Sequence, residues 1–363
     1  MTSMKNLINP WLPIIYLILI SIPVYSQTDQ FNTYQYNQKK SYAKPWFEWW
    51  YYKIIIPDTN ESFYFVYGVV NPWDLEQKLK ASRSYIGAGD FAQKKIYETV
   101  YSVNEFQASN ETTFVQIGNN QATDKNFFGN INDSNQNRIS WDINIEKKWS
   151  FNPVSWALGK NITDIEWYPA QASAVCNGII HTNNKTIEVK NAPCYQDRNW
   201  GSIFPKWWTW IVSNYFTENK KSVLAIGGGR PSYKKTNFPF EGVSIGLNHQ
   251  GKEYLFRPTD LNITKSNIKM GTWEAQGDNG RYIIKIKADA PNEAFLDLQF
   301  VTPQGDIFHD YETLNGHVNL KLYKKNLAED KFLFELNSDY AGIEYGSHNQ
   351  SIREINKLNE SNY

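Results

Sequence analysis

Tyr195–Phe216 reads YQDRNWGSIFPKWWTWIVSNYF, and its make-up poses the central question about the chain. Four tryptophans, Trp200, Trp207, Trp208 and Trp210, lie beside the charged pair Asp197–Arg198, and Gly201 and Pro205 turn the backbone. A plain core strand carries Val and Ile on one face, whereas rings of this size next to charge suit the floor or mouth of a pocket. An earlier stretch, Pro45–Lys53, PWFEWWYYK, is its companion: one carboxylate, Glu48, stands among Trp46, Phe47, Trp49, Trp50, Tyr51 and Tyr52.

Outward from these two stretches the chain is a series of short β-forming runs broken by turn residues. Trp49–Ile56 and Ser62–Val70 flank Pro57-Asp58-Thr59-Asn60, a hairpin signal. Later runs include Arg138–Glu146, Ser173–His181, Gly242–Asn248, Arg281–Lys287 and Gly316–Lys324, and no long segment has a helical period. The pattern predicts an all-β protein with few short helices, one after Pro205 and one near Pro72–Lys80. Length favours two sheet or barrel units side by side, about 45–192 and 193–348, with the break inside Pro193–Lys221. Lys148–Pro169 is Trp-rich and irregular and reads as a loop over the pocket. Residues 27–44 read as a loosely ordered lead-in, and 349–363 as a polar, frayed tail.

The first 26 residues are set apart from the fold. Lys5 precedes an apolar run from Trp11 to Val24, followed by Val24-Tyr25-Ser26 before Gln27. That is the form of a secretory signal peptide, and an uncleaved anchor is the alternative. An extracellular or periplasmic destination follows. In that setting Cys176 and Cys194 can form a disulfide, and two buried thiols are the other reading. Sequons at Asn60, Asn110, Asn132, Asn161, Asn184, Asn262, Asn349 and Asn359 suit a glycoprotein, although an Asn-rich chain yields some by chance.

Composition excludes several classes. Net charge is +0, so the chain is not built for nucleic acid. A mean hydropathy of -0.57 excludes a polytopic membrane protein. The five histidines, His181, His249, His309, His317 and His348, form no short-spaced ligand set, so no metal site is expected. There is no Gly-x-Ser-x-Gly elbow. Ile226–Pro231, IGGGRP, lacks the context of a phosphate loop and reads as a close approach of backbone to another element. What remains is carboxylates among rings. If Glu48 and Asp197 are buried there, desolvation raises their pKa and keeps them protonated, with Arg198 acting against this. A neutral carboxylic acid in a dry aromatic pocket can protonate an alkene, and the rings can stabilise the cation. The same pocket could simply bind a long apolar molecule.

These residues resemble the tocopherol cyclase family. In the central stretch Tyr195, Asn199, Trp200, Gly201, Phe204, Pro205, Trp208, Trp210, Asn214 and Phe216 fall on the family's pattern. Upstream, Phe47, Glu48, Trp50, Tyr51, Tyr52 and Lys53 match its opening motif, and Ile343-Glu344-Tyr345-Gly346 is similar to its C-terminal Val-Glu-x-Gly. The resemblance spans Pro45 to Gly346. It implies a lipocalin-like antiparallel β-barrel architecture and an intramolecular lyase, an isomerase, that closes a chromanol ring on a prenylated hydroquinone without a cofactor. Carried over, Asp197 is the first choice of proton donor and Glu48 the second. Arg198 and Asn199 would orient the quinol; Trp50, Tyr52, Trp200, Trp208, Trp210 and Asn214 would contact the substrate. The departures are Asp197 for Glu, Arg198 for Lys, Val212 for Gln and Trp49 for Gly. A signal peptide is a further departure from a family expected in plastids or cyanobacterial membranes. The rival readings are a secreted, non-catalytic carrier of hydrophobic ligands and, less favoured, a structural surface protein. The expected partner is a hydrophobic small molecule, with peripheral membrane contact open and no protein partner inferred.

Overall fold

The structure, a computed structural model, describes residues 29–37, 39, 43–133, 136–231 and 241–348. The expected signal peptide at 1–26 and the tail beyond 348 lie outside the described residues. The all-β, two-barrel architecture predicted from the sequence is the one observed. Eleven strands between Phe47 and Gly201 form one sheet, and ten between Trp207 and Ser347 form another. Pairing is antiparallel throughout, and each sheet curls into a nearly closed barrel. Both follow one plan, in which the first strand pairs with the last. Phe47–Ile56 pairs with Thr186–Gly201, and Trp207–Ser213 pairs with Lys331–Ser347. Thr186–Gly201 straddles the division expected at 192/193, and the chain changes sheet across 202–206. Four short 3-10 turns complete the elements among the described residues.

Two expected helices are not helices. After Pro205 the chain enters Trp207–Ser213, a strand paired on both sides, because bulky rings and Ile211-Val212 fill a sheet position well. Near 72–80 the chain makes turns organised by Asp74. Its carboxylate accepts from the backbone N–H groups of Lys78 and Leu79, at 3.0 and 2.7 Å, and from the Ser82 hydroxyl at 2.6 Å. A local carboxylate that offers such bonds competes with a helical ladder.

The barrels meet along a seam, and this explains why the key strands do not alternate between apolar and polar. Successive strand side chains point to opposite faces. In Phe47–Ile56 every residue but the last is buried. Trp50, Tyr52 and Ile54 fill the first barrel, whereas Phe47, Trp49 and Tyr51 pack into the seam. The same alternation separates the neighbours Asp197 and Arg198: Asp197 faces the seam and Arg198 points into the first barrel. Lys53 also lies in the seam, wholly buried, where it donates to Asn214 Oδ1 at 3.3 Å and Val212 O at 3.4 Å. Asn214 Nδ2 donates in turn to Ala172 O at 2.6 Å. These bonds tie the first sheet to the second. Cys176 and Cys194 are disulfide-bonded across adjacent strands, with Cα atoms 5.9 Å apart.

The first barrel is plugged by its own lead-in. This corrects the expectation of a loose segment: Asn32 and Thr33 are buried, and Tyr34 stacks over Trp50 at 6.3 Å. Arg198 donates to Thr33 O at 2.6 Å and pairs with Glu48, and its guanidinium lies 3.9 Å from the Trp50 ring centroid. Glu48 also accepts from the Gln35 backbone N–H at 2.8 Å and from Trp46 Nε1 at 3.2 Å. Burial raises the Glu48 carboxyl, while Arg198 and these donors oppose it. The prediction is that Arg198→Met, which strands Glu48 in a dry interior, lowers unfolding stability by about 3–5 kcal/mol. Adding Glu48→Gln should recover part of the loss, as read in urea titrations of the single and double variants.

Candidate functional site

The strands on either side of the 202–206 junction build the wall of a cavity of about 400 Å³ between the barrels. Trp49, Trp167, Trp208 and Trp210 are part of the lining, with Gly227–Gly229 opposite and Asn199, Thr209 and Ser244 as polar points. Of Lys148–Pro169, expected as an irregular loop over the pocket, residues 148–149 and 165–169 belong to strands instead, and the 150–164 connection between them contributes Pro153, Trp156 and Ile162. Trp156 and Ile162 remain 65% and 41% exposed, so they stand at the opening. The three glycines are a close-approach device, not an anion loop. A Cβ on Gly227 would fall 2.4 Å from the Trp167 ring.

One titratable wall group has chemical consequence. Glu344 lines the cavity, and its strand Lys331–Ser347 carries glycines on either side of it, at 342 and 346. Trp210 and Trp208 lie across those glycines, where a Cβ would fall 2.1 and 2.4 Å from their indoles. The Glu344 backbone carbonyl accepts from the Thr209 hydroxyl at 2.9 Å and from Trp273 Nε1 at 3.1 Å, which holds the residue in place. Burial pushes its carboxyl well above the ordinary range, and the nearby acids Asp310 and Asp197 add to this. The direction of the shift favours its protonated form.

Behind Glu344 the seam holds further acids. Asp310 accepts from Trp208 Nε1 at 3.1 Å, and Glu312 accepts from the Tyr51 hydroxyl. Burial raises both carboxyls. Asp310, Glu312 and Glu344 offer oxygens within 4.8 Å of one another, the density of a metal-binding set. A proton competes with a cation for these oxygens, since a hydrogen bond between the Asp310 and Glu344 carboxyls requires one of them to be protonated. The seam cation, Lys53, is pushed down to about 7 by burial, against the pull of Glu312.

The residues expected to act together fall into three places. Asn199, Trp208 and Trp210 line the cavity. Asp197 stands behind this wall. Its Oδ2 accepts from Trp167 Nε1 and from the Tyr195 hydroxyl, both at 2.8 Å, and Tyr195 accepts from Trp210 Nε1 at 3.1 Å. Asp197 thereby holds two cavity indoles by their N–H edges. Burial raises it to about 7, with the bonds from Trp167 and Tyr195 opposing. Glu48, Arg198, Trp50 and Tyr52 lie in the first barrel, and Trp200 packs with Tyr36 and Trp46 beside it. Asn214 is spent on the seam. Two departures from the family pattern can also be placed. Trp49 adds a ring to the cavity wall, and Val212 is buried in the seam. His309 pairs with Asp297 at 3.0 Å, and His317 with Asp339 at 2.8 Å. Glu344 was missed as a site residue, although its signal was present: an acid framed by Gly342 and Gly346 on an otherwise β-forming run.

The chain matches the tocopherol cyclase-like family over residues 44–126 and 113–347. It belongs to that family. It is 23% identical over 389 aligned residues to a probable chloroplastic tocopherol cyclase of Oryza sativa subsp. japonica, covering 90% of this chain and 82% of the relative. It is 24% identical over 358 residues to a chloroplastic tocopherol cyclase of Zea mays, covering 84% and 75%. Among solved structures, CghA is similar in fold, with a TM-score of 0.50 at 9% identity over 85% of this chain and 90% of that one. Within the family match, the motif residues of the seam and those of the cavity separate cleanly. Lys53 and Asn214 join the two sheets, and Trp208, Trp210 and Glu344 face the space between them.

The cavity has a direct test. Gly227→Ala, whose methyl would drive Trp167 inward, should weaken binding of an apolar fluorescent probe about tenfold, the scale of a 1–3 kcal/mol overpacking cost. The same variant should keep the far-ultraviolet circular dichroism of the parent.

Proposed function

We propose that this chain is a cyclase that closes an oxygen ring on a prenylated hydroquinone, with Glu344 as the general acid. The observation that carries the reading is a carboxyl, Glu344, on the wall of a cavity lined with indole rings, where its surroundings favour the protonated form. A cavity of about 400 Å³ falls in the range of small-molecule sites. The quinol head would meet the polar points Asn199, Thr209 and Ser244, and the tail would run toward the opening at Trp156 and Ile162. Glu344 would give its proton to the ring-proximal alkene carbon of the first prenyl double bond. Positive charge then develops at the tertiary carbon, where the faces of Trp208, Trp210, Trp167 and Trp49 can stabilise it. The phenolic oxygen attacks that carbon, a C–O bond forms, and the phenolic proton returns to the carboxyl. The product is an isomer of the substrate.

Asp197, the first choice of donor from sequence, takes a different part in this reading. It does not line the cavity, and one of its oxygens is engaged by Trp167 and Tyr195. It holds the indoles that meet the cation.

The test is incubation of the protein with a prenylated hydroquinone under reducing, anaerobic conditions, followed by mass-resolved chromatography. An isomer of unchanged mass that has lost its free quinol is the expected product. Glu344→Gln should cut the rate about a hundredfold or more, within the range of general-acid contributions. Because Glu344 acts in its protonated form and its pKa is raised, the rate should persist above the pH at which an ordinary carboxyl ionises and fall as pH rises past the raised pKa. Saturable binding with no product would leave the chain a carrier of hydrophobic ligands.

A further inference from the structure

The candidate acid is one half of a pair. Asp310 lies on the strand next to Glu344, in Ile307–Lys324, and the two carboxyls hydrogen-bond each other. We propose that Asp310 is a positioning residue that shares one proton with Glu344 and keeps that proton on the carboxyl facing the cavity. This inference rests on the cyclase reading of the same site.

Ionised carboxylates only accept, so two in contact must retain a proton between them. The donors around the pair decide where it sits. The direct bond from Trp208 Nε1, at 3.1 Å, goes to Asp310, although the same indole also favours the charged form of Glu344. A carboxyl that receives a donor is the better acceptor of the shared proton, which leaves Glu344 as the O–H group. Glu344 is also the member that reaches the cavity; Asp310 is buried and does not line it.

The other groups that face the pair add to this. Glu312, on the same strand as Asp310, and Asp197, from the last strand of the first sheet, are acids, and both oppose a further negative charge. Tyr51, from the first strand, donates its hydroxyl to Glu312. Lys53, on that same strand, is turned toward Asn214 and Val212 O. Removing the shared proton would put a second charge beside the first in a dry seam. The surroundings therefore favour keeping one proton on the pair. Once the alkene has taken it, the two facing carboxylates form a strong base for the phenolic proton released on ring closure. The Glu344 O–H bond breaks and a C–H bond forms; the C–O bond forms as the phenolic O–H bond breaks, and the pair ends as it began.

The experiment compares wild type, Asp310→Asn, Asp310→Glu and Glu344→Gln in the full chain by two readouts. The first is turnover against pH. Asp310→Asn should keep its rate at the acid end and lose about tenfold at the alkaline end, because the descending limb moves down by about one pH unit. Asp310→Glu should restore the limb. A loss of equal size at every pH, or a limb that does not move, would overturn the proposal. The second readout needs no substrate: the C=O stretch of buried protonated carboxyls, followed by infrared difference titration. Its midpoint should fall in Asp310→Asn. The Asp310 signal that remains in Glu344→Gln should titrate lower as well, which tests the pair even if Asp310→Asn does not fold. Infrared shifts without turnover of any quinol would leave the proton-sharing pair standing and remove the cyclase reading. Turnover with no infrared shift would do the reverse.

Discussion

The structure depends on a seam in which strands are buried on both faces. Phe47–Ile56 and Thr186–Gly201 each serve the interior of one barrel with one set of side chains and the contact between barrels with the other. No water is at hand for polar groups placed there, so each must be answered by protein or lose its charge. The two sides of the seam solve this differently. Inside the first barrel, Glu48 is met by Arg198, by the Gln35 backbone N–H and by Trp46, while Thr33 O accepts from Arg198, and the result is structural. Among the described residues between the barrels the acids outnumber the cations, and Lys53 is itself driven toward neutrality.

That imbalance is what makes the seam chemically interesting. A carboxyl without a cation beside it in such a place is pushed toward its protonated form, at a cost in stability that the surrounding packing has to offset. The tryptophans do more than fill space. Three of the cavity indoles have their N–H edges held from behind: Trp167 by Asp197, Trp210 by Tyr195, and Trp208 by Asp310. Their edges are therefore fixed by the same acids that the seam keeps dry. A pocket whose rings are anchored in this way needs little rearrangement to meet a developing positive charge, the condition for electrostatic stabilisation of a transition state.

Much of the fold was legible in the sequence because strands and turns are written locally. The Pro57–Asn60 turn, the β-branched runs and the lack of a helical period all speak through near neighbours. The failures have the same root. Pro72–Lys80 resembles a helix until Asp74 is seen to gather Lys78, Leu79 and Ser82. The lead-in reads as polar and loose because the groups that bury Asn32 and Thr33, above all Arg198, lie about 165 residues away.

For the site, the sequence by itself determined the ingredients: clustered tryptophans, isolated acids, the glycine runs, and motifs long enough to mark the family. It could not decide which ingredients share a space. Asp197 and Arg198 are chain neighbours whose side chains leave the strand on opposite faces and serve different barrels. Glu344 and Asp310 lie on different strands and meet through sheet pairing. Only the tertiary structure decided that pairing and the resulting burial. A carboxyl has no raised pKa until water is excluded from it, and that exclusion belongs to the assembled barrels and to no stretch of the chain.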